Sequence, residues 1–305
     1  MSYLFRRLLF AVPVLIGVTT LTFLLIHFVP GDPVDILLGE QASQLDKAAL
    51  RTELGLNKSL GEQYVNFYKG LVHLDLGTSL QSRKTVSSEL AERIPATVEL
   101  TLVAMCMAII IGLPLGVLIS VKKNSWLEKI VNGYSLVAIS SPSFWIAPLL
   151  VFLFSIQLDL FPVSGRSDLW SVVLPALSLA MQLSAVLIQT TKTSMNDVIH
   201  EDFVRVAIAK GNSSQTVYFK HALSNAIMPV ITVMGLQFGA LLTGAVIVET
   251  IFDWPGVGQL LFQAIQQRNY PLVQGCVLLI ATTYVLVNLI TDLMYTYADP
   301  RVRLS

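Results

Sequence analysis

The sequence predicts an all-α integral membrane protein with six transmembrane helices, and three observations carry that expectation. Apolar residues fill 54% of the 305 positions against 13% charged, and mean hydropathy is +0.67, a balance that belongs in lipid rather than water. The apolar residues gather into six runs, each long enough to cross a hydrocarbon layer of about 30 Å at about 1.5 Å per helical residue. No ionisable residue occupies the centre of a run, since His27, Glu99, Glu249 and Asp292 all lie at or beside run ends.

The first run, from Leu8 to Val29, follows Arg6 and Arg7. It exceeds a signal-peptide core and leads into Pro30-Gly31-Asp32-Pro33 rather than a small-residue cleavage site, so it reads as a retained helix. Further runs follow at 98–121, 130–156, 172–191, 227–248 and 272–291. Pro114, Pro142 and Pro148 fall inside them, where each removes a backbone hydrogen bond and favours a kink.

Six spans put both termini on one side. Lys and Arg near helix ends choose that side as cytoplasmic, because it collects Arg6, Arg7, Lys122, Lys123, Lys129, Lys192, Arg205, Lys210, Lys220, Arg301 and Arg303. The expected organisation is therefore a first helix with an exoplasmic segment (1–96), a five-helix core (97–295) carrying a cytoplasmic loop at 192–226, and a short cytoplasmic tail (296–305). The exoplasmic segment mixes seven basic with nine acidic residues. Its stretches at 45–56 and 62–74 have helical apolar spacing, which predicts a small helical cap.

Composition excludes several functions. Lys plus Arg equals Asp plus Glu at 20 each, leaving no basic excess to neutralise nucleic acid. Cys106 and Cys276 both sit in apolar runs, as small buried hydrophobes do, and give no disulfide framework or metal site. Proton-driven carriers keep intramembrane carboxylates or histidines at a cost of roughly 2.5 to 3.5 kcal/mol for a central charge, and no such relay is present. There is no phosphate-binding loop, so any nucleotide energy must come from another subunit.

Apparent enzymatic motifs fail on their partners. Ser79 in Gly77-Thr78-Ser79 has no histidine base in a shared span, and His200-Glu201 lacks the second histidine of a zinc helix. Eight methionines and four histidines are scattered without the spacing of a nickel path. Polar uncharged residues inside the spans, Gln182, Gln189, Gln237 and Thr243, are costly against lipid and are expected to face a bundle interior or a pore. Interhelical bonding is the alternative role.

The informative segment is the cytoplasmic loop. Phe203, Val204, Ala207, Ile208 and Gly211 recur at spacings of three and four, which predicts a short helix with one apolar, small-residue face ended by Gly211. A second helix should climb from Gln215 toward Pro229. With Arg205 and Lys210 beside the stripe, such a helix suits either a membrane surface or a partner's groove.

Ala207, Gly211 and the Lys-His-Ala-Leu-Ser-Asn-Ala-Ile-Met-Pro stretch ending at Pro229 resemble the ATPase-docking loop of permeases in ATP-binding-cassette importers. The resemblance runs along nearly the whole chain, through Arg6-Arg7-Leu8, Pro30-Gly31-Asp32-Pro33, Leu54-Gly55-Leu56, Leu76-Gly77-Thr78-Ser79, the segment from Glu249 to Gly258, Asn269-Tyr270-Pro271 and Asp299-Pro300. Together these strings resemble the dipeptide, oligopeptide, glutathione and nickel branch. Val206 and Ile208 stand where Thr and Arg are common, Leu74 where Gly is common, and Asn269 where Asp is common.

The resemblance implies a type I importer permease fold in the bacterial inner membrane, with no catalytic residue. It implies one half of a translocation path for a small solute, a peptide first and a nickel chelate or glutathione as alternatives. Implied partners are a second homologous permease, two cytoplasmic ATPases that bind ATP and Mg²⁺, an external solute-binding protein and membrane lipid. Asp202, Phe203, Arg205, Ala207, Lys210 and Gly211 are the expected ATPase-coupling residues. Gln182, Gln237, Thr243, Glu249 and Trp254 are pore or gate candidates. The rival classes are a self-sufficient carrier or channel, and, more remotely, a membrane enzyme.

Overall fold

The computed structural model describes residues 2–28, 32–39 and 41–298, with side chains from residue 9 onward except at 242–244, 292 and 294–298. Pro30, Gly31, Asp299-Pro300 and residues 299–305 of the expected tail lie outside the described residues, as do the side chains of Arg6, Arg7 and Thr243.

Helix α1 (Ser2–Phe28) is the first expected span. Asp32 then caps α2 (Pro33–Leu38): the Val34 N–H donates to Asp32 Oδ1 at 2.8 Å, and proline occupies the first helical position, where no N–H is needed. The other oxygen of Asp32 accepts twice from Arg51, at 2.5 and 2.8 Å. Ser43 caps α3 (Gln44–Glu53), and Ser59 with Glu62 forms a reciprocal capping box on α4 (Leu60–Val72). These last two are the helices predicted in the exoplasmic segment. Among the described residues that segment has no strand, only an isolated bridge between Thr78 and Thr85.

Helix α4 ends in a Schellman motif, with the Asp75 N–H on Gly70 O at 2.9 Å and the Leu74 N–H on Leu71 O at 3.0 Å. The motif needs a left-handed residue at position 74, and Leu74 has φ +57° there. The leucine, where the branch commonly has glycine, is therefore strained, and at 88% exposure it gains no packing. Replacing Leu74 by Gly should raise stability by about 1 kcal/mol. Thermal unfolding of the purified variant checks this, and an unchanged or lower midpoint contradicts it.

Helix α5 (Val86–Val121) begins well before the apolar run at 98–121, because Glu89, Glu92 and Arg93 favour helix as well as the leucines do but are passed over by hydropathy. The third expected span is not one helix. It divides into α6 (Trp126–Ser140) and α7 (Ser143–Leu150), the latter continued by a π-helical stretch at Val151–Gln157, and the pair is bent by 112°. Proline at 142 pushes Ser141 out of the helical region, to φ −96° and ψ 121°, and the helix stops there. Pro114, by contrast, is carried within the continuous α5.

Helix α8 (Val173–Val198) is followed by α9 (Asp202–Ala209), a π-helical stretch at Thr216–Ala222, and α10 (Leu223–Ile251) with Pro229 inside it. Helix α11 (Val257–Gln266), not anticipated, precedes α12 (Tyr270–Ala298). Among the described residues five helices are long and apolar enough to cross a membrane, or six if the bent pair counts as one span.

The chain forms two compact units. In the unit of residues 1–97 and 255–285, α4 lies along α1: Tyr68 and Tyr64 place their hydroxyls on Thr19 and Thr20 at 2.8 and 2.9 Å, and Phe23 meets Tyr64 edge to face and stacks with Phe67. Val86, Leu90, Leu260, Leu272 and Cys276 belong to its core. Buried Asn269 donates to Ser79 Oγ at 2.8 Å and accepts from the Leu80 N–H at 3.2 Å. One carboxamide makes both contacts, its nitrogen donating and its oxygen accepting.

In the unit of residues 98–254 and 286–305, α8 packs between α6 and α10. Two glycines of α5 bring it close to α8. A Cβ at Gly112 would stand 2.7 Å from Leu187 Cβ, and one at Gly116 would stand 2.6 Å from Thr191 Cβ and 3.0 Å from the Ile188 carbonyl. This is the small-residue packing by which membrane helices approach without a hydrophobic driving force.

Candidate functional site

The site is built on α9 and the helices that flank it. Val204 and Ala207, one turn apart, are buried against Val117, Met195, Val217 and Ala222. They fix the short helix to its own bundle. Phe203, Val206 and Ile208 remain 39%, 51% and 53% exposed. The predicted single apolar face is thus divided. In an eight-residue helix turning about 100° per residue, positions 204 and 207 form one inward line and 203 and 208 fall on its two flanks. Val204 and Ala207 anchor the helix, and Phe203, Val206 and Ile208 stand open.

Val206 and Ile208 are two of the departures noted in the sequence, and both add apolar surface to the open side of α9. Asp202 and Arg205 are exposed and lie 3.6 Å apart, a pairing that solvent weakens. Lys210 caps the helix with its N–H on Val206 O at 3.0 Å.

Gly211 adopts φ +80° and donates its N–H to Ile208 O at 2.9 Å, while the Asn212 side chain donates to Ala207 O at 2.9 Å. It is this left-handed backbone, and not a close approach, that favours glycine here, since a Cβ would meet nothing within 4 Å. Ser213 then accepts from the Thr216 N–H at 3.3 Å and opens the following helical segment.

Gln182 and Gln237 come together. With Ser143, Leu179, Leu183 and Leu241 they line a cavity of about 180 Å³ in this unit. Gln189 takes the other role open to it, donating to Asn132 Oδ1 at 3.2 Å, beside a Lys192–Glu128 ion pair at 2.8 Å. Thr243 lies on α10, its side chain outside the described residues.

Glu249 and Trp254 are both fully buried, so neither faces open space within the unit. The turn between them is closed by the Trp254 N–H on Glu249 O at 2.8 Å and clamped by the Gly165 N–H on Phe252 O at 2.8 Å. Arg166 lies 5.8 Å from the centre of the Trp254 ring and donates to Glu99 at 2.5 and 2.9 Å. The indole of Trp254, a pore or gate candidate in the sequence, is packed inside the unit beside an arginine. Sequence reasoning passed over the Arg166–Glu99 pair, although each is a lone charge beside an apolar run.

Residues 112–304 match the family described as binding-protein-dependent transport system inner membrane component, and residues 1–101 match that family's N-terminal region. The chain belongs to this family. As a permease it is 42% identical to the dipeptide transport system permease protein DppB of Escherichia coli and 40% identical to that of Alkalihalophilus pseudofirmus. It is 38% identical to the glutathione transport system permease protein GsiC of Pectobacterium atrosepticum. In each case 99% of both chains is covered.

Among solved structures, the inward-facing MetNI methionine ABC transporter matches with a TM-score of 0.56 at 17% identity, over 69% of this chain and 96% of that one. An amino acid ABC transporter with histidines matches at 0.52 and 16%. These likenesses establish the type I importer permease fold, and the permease is a multi-pass inner membrane protein.

Proposed function

We propose that the permease forms half of the translocation path for short peptides, paired with a second homologous permease and supplied by an external solute-binding protein. Two ATPase subunits, which bind ATP and Mg²⁺, dock on the open side of α9 and power the cycle. The chain itself performs no catalysis, and both termini are cytoplasmic. Gln182 and Gln237 border the path and present their amides to the solute or to water.

The observation that carries the peptide reading is the full-length identity of 40–42% to dipeptide permeases, joined to the α9 geometry. A glutathione reading has its own support. The alignment to the glutathione permease spans 303 residues, whereas those to the dipeptide permeases span 331 and 335, longer than this 305-residue chain, so those relatives carry insertions. Uptake of labelled dialanine by the reconstituted complex, challenged with excess glutathione or excess dipeptide, separates the two. The peptide reading expects competition by dipeptide alone. Uptake of labelled glutathione with no uptake of dialanine overturns it.

A further inference from the structure

A cavity of about 400 Å³ lies within the unit of residues 1–97 and 255–285 and contains none of the residues assigned above. Its size falls within the roughly 300 to 1,000 Å³ of small-molecule sites. Part of the wall is already satisfied. His27 Nδ1 is 2.6 Å from Phe23 O, and its Nε2 is 3.1 Å from Gln63 Oε1, whose amide nitrogen donates to Lys58 O at 3.0 Å.

Gln274 is different. It is only 9% exposed, lines the cavity, and has no hydrogen-bond partner among the described residues. Its amide atoms open onto the cavity rather than being sealed from it, so two donors and an acceptor are offered to whatever fills the space. The rest of the lining says what suits it. Lys58 supplies a cation, Glu53 and Asp75 supply carboxylates, Asn66 supplies a second carboxamide, and Phe67 and Tyr270 supply aromatic surface.

Two carboxylates disfavour a simple anion, and charges of both signs disfavour an acyl chain. Among the described residues no group of three His, Cys, Asp or Glu side chains could hold a metal. A molecule with one terminal ammonium, one terminal carboxylate and an amide between them fits all three kinds of group.

We propose that this cavity binds a short zwitterionic peptide, with Gln274 hydrogen-bonding its peptide group. The proposal rests on the reading of the chain as a peptide permease, and assigns a station for the peptide separate from the Gln182–Gln237 cavity.

The test uses the complete complex in nanodiscs without binding protein, and alanyl-photoleucine as a diazirine probe, with crosslinks mapped by mass spectrometry. Labelling is expected in segments 53–80 and 270–274, suppressed by excess alanyl-leucine and reduced about tenfold by Gln274→Leu, the loss of one hydrogen-bonded group. Capping both peptide termini should reduce it similarly. Should Gln274→Leu fail to fold, the exposed Glu53→Gln and Lys58→Met pair should produce the same loss.

Labelling confined to other segments, labelling that alanyl-leucine does not suppress, or full labelling in a folded Gln274→Leu complex overturns the site. Dipeptide uptake by the unmodified complex with its binding protein is measured in parallel. Uptake without labelling refutes the cavity alone, whereas absence of peptide uptake refutes the peptide reading itself.

Discussion

Phe203→Glu and Val206→Glu should each abolish nucleotide-driven uptake while leaving the permease folded in the membrane. Both side chains stand open on α9, at 39% and 51% exposure, and neither belongs to the cluster that anchors the helix through Val204 and Ala207. If α9 is seated in an ATPase groove, a carboxylate there is desolvated without a partner. Loss of a central apolar contact costs about 2 kcal/mol or more, roughly thirtyfold in affinity. Co-purification of the ATPase subunits with each variant is the measurement. Retention of wild-type amounts, together with normal uptake, would mean that α9 lies on the membrane surface and not on an ATPase.

Gly116→Val should have the largest effect on stability. The new Cβ would stand 2.6 Å from Thr191 Cβ and 3.0 Å from the Ile188 carbonyl, and a backbone carbonyl inside α8 has no room to withdraw. Overpacking of this kind costs about 1–3 kcal/mol. A bound partner cannot relieve it, because the clash is within one unit. Gly133→Ala is the control: a Cβ there meets nothing within 4 Å, and mid-helix Gly to Ala is favourable by about 1 kcal/mol. Fluorescence-detected size-exclusion after heating should show Gly116→Val aggregating earlier than wild type and Gly133→Ala no earlier. Equal thermal behaviour of Gly116→Val and wild type would contradict the α5–α8 packing.

The spans and the short helix at 202–209 were legible because each rests on a pattern in consecutive residues: a long apolar run, or apolar residues at spacings of three and four closed by glycine. The bend at Ser141–Pro142 was half legible. The proline marks a weak point, but an apolar run alone does not say whether the helix kinks or stops. Helix α11 was missed although its signal is present, since Val257, Leu260, Leu261, Ala264 and Ile265 recur at spacings of three and four after Gly256.

The division of α9 into anchor and open flanks depends on Val117, Met195 and Ala222, which are distant in sequence. The same is true of the burial of Glu249 and Trp254 and of the cavity beside Gln274. Composition places such residues near a membrane boundary. Packing decides which of them face inward.

We propose that this chain supplies a path and that separate ATPase subunits drive it. The most direct test is dialanine uptake into proteoliposomes holding both permeases, with binding protein supplied outside, ATP inside, and the ATPase subunits either present or omitted. Uptake should require the ATPases and fall to the leak of empty liposomes without them. Saturable uptake of equal rate in their absence would show a self-sufficient carrier and contradict the account.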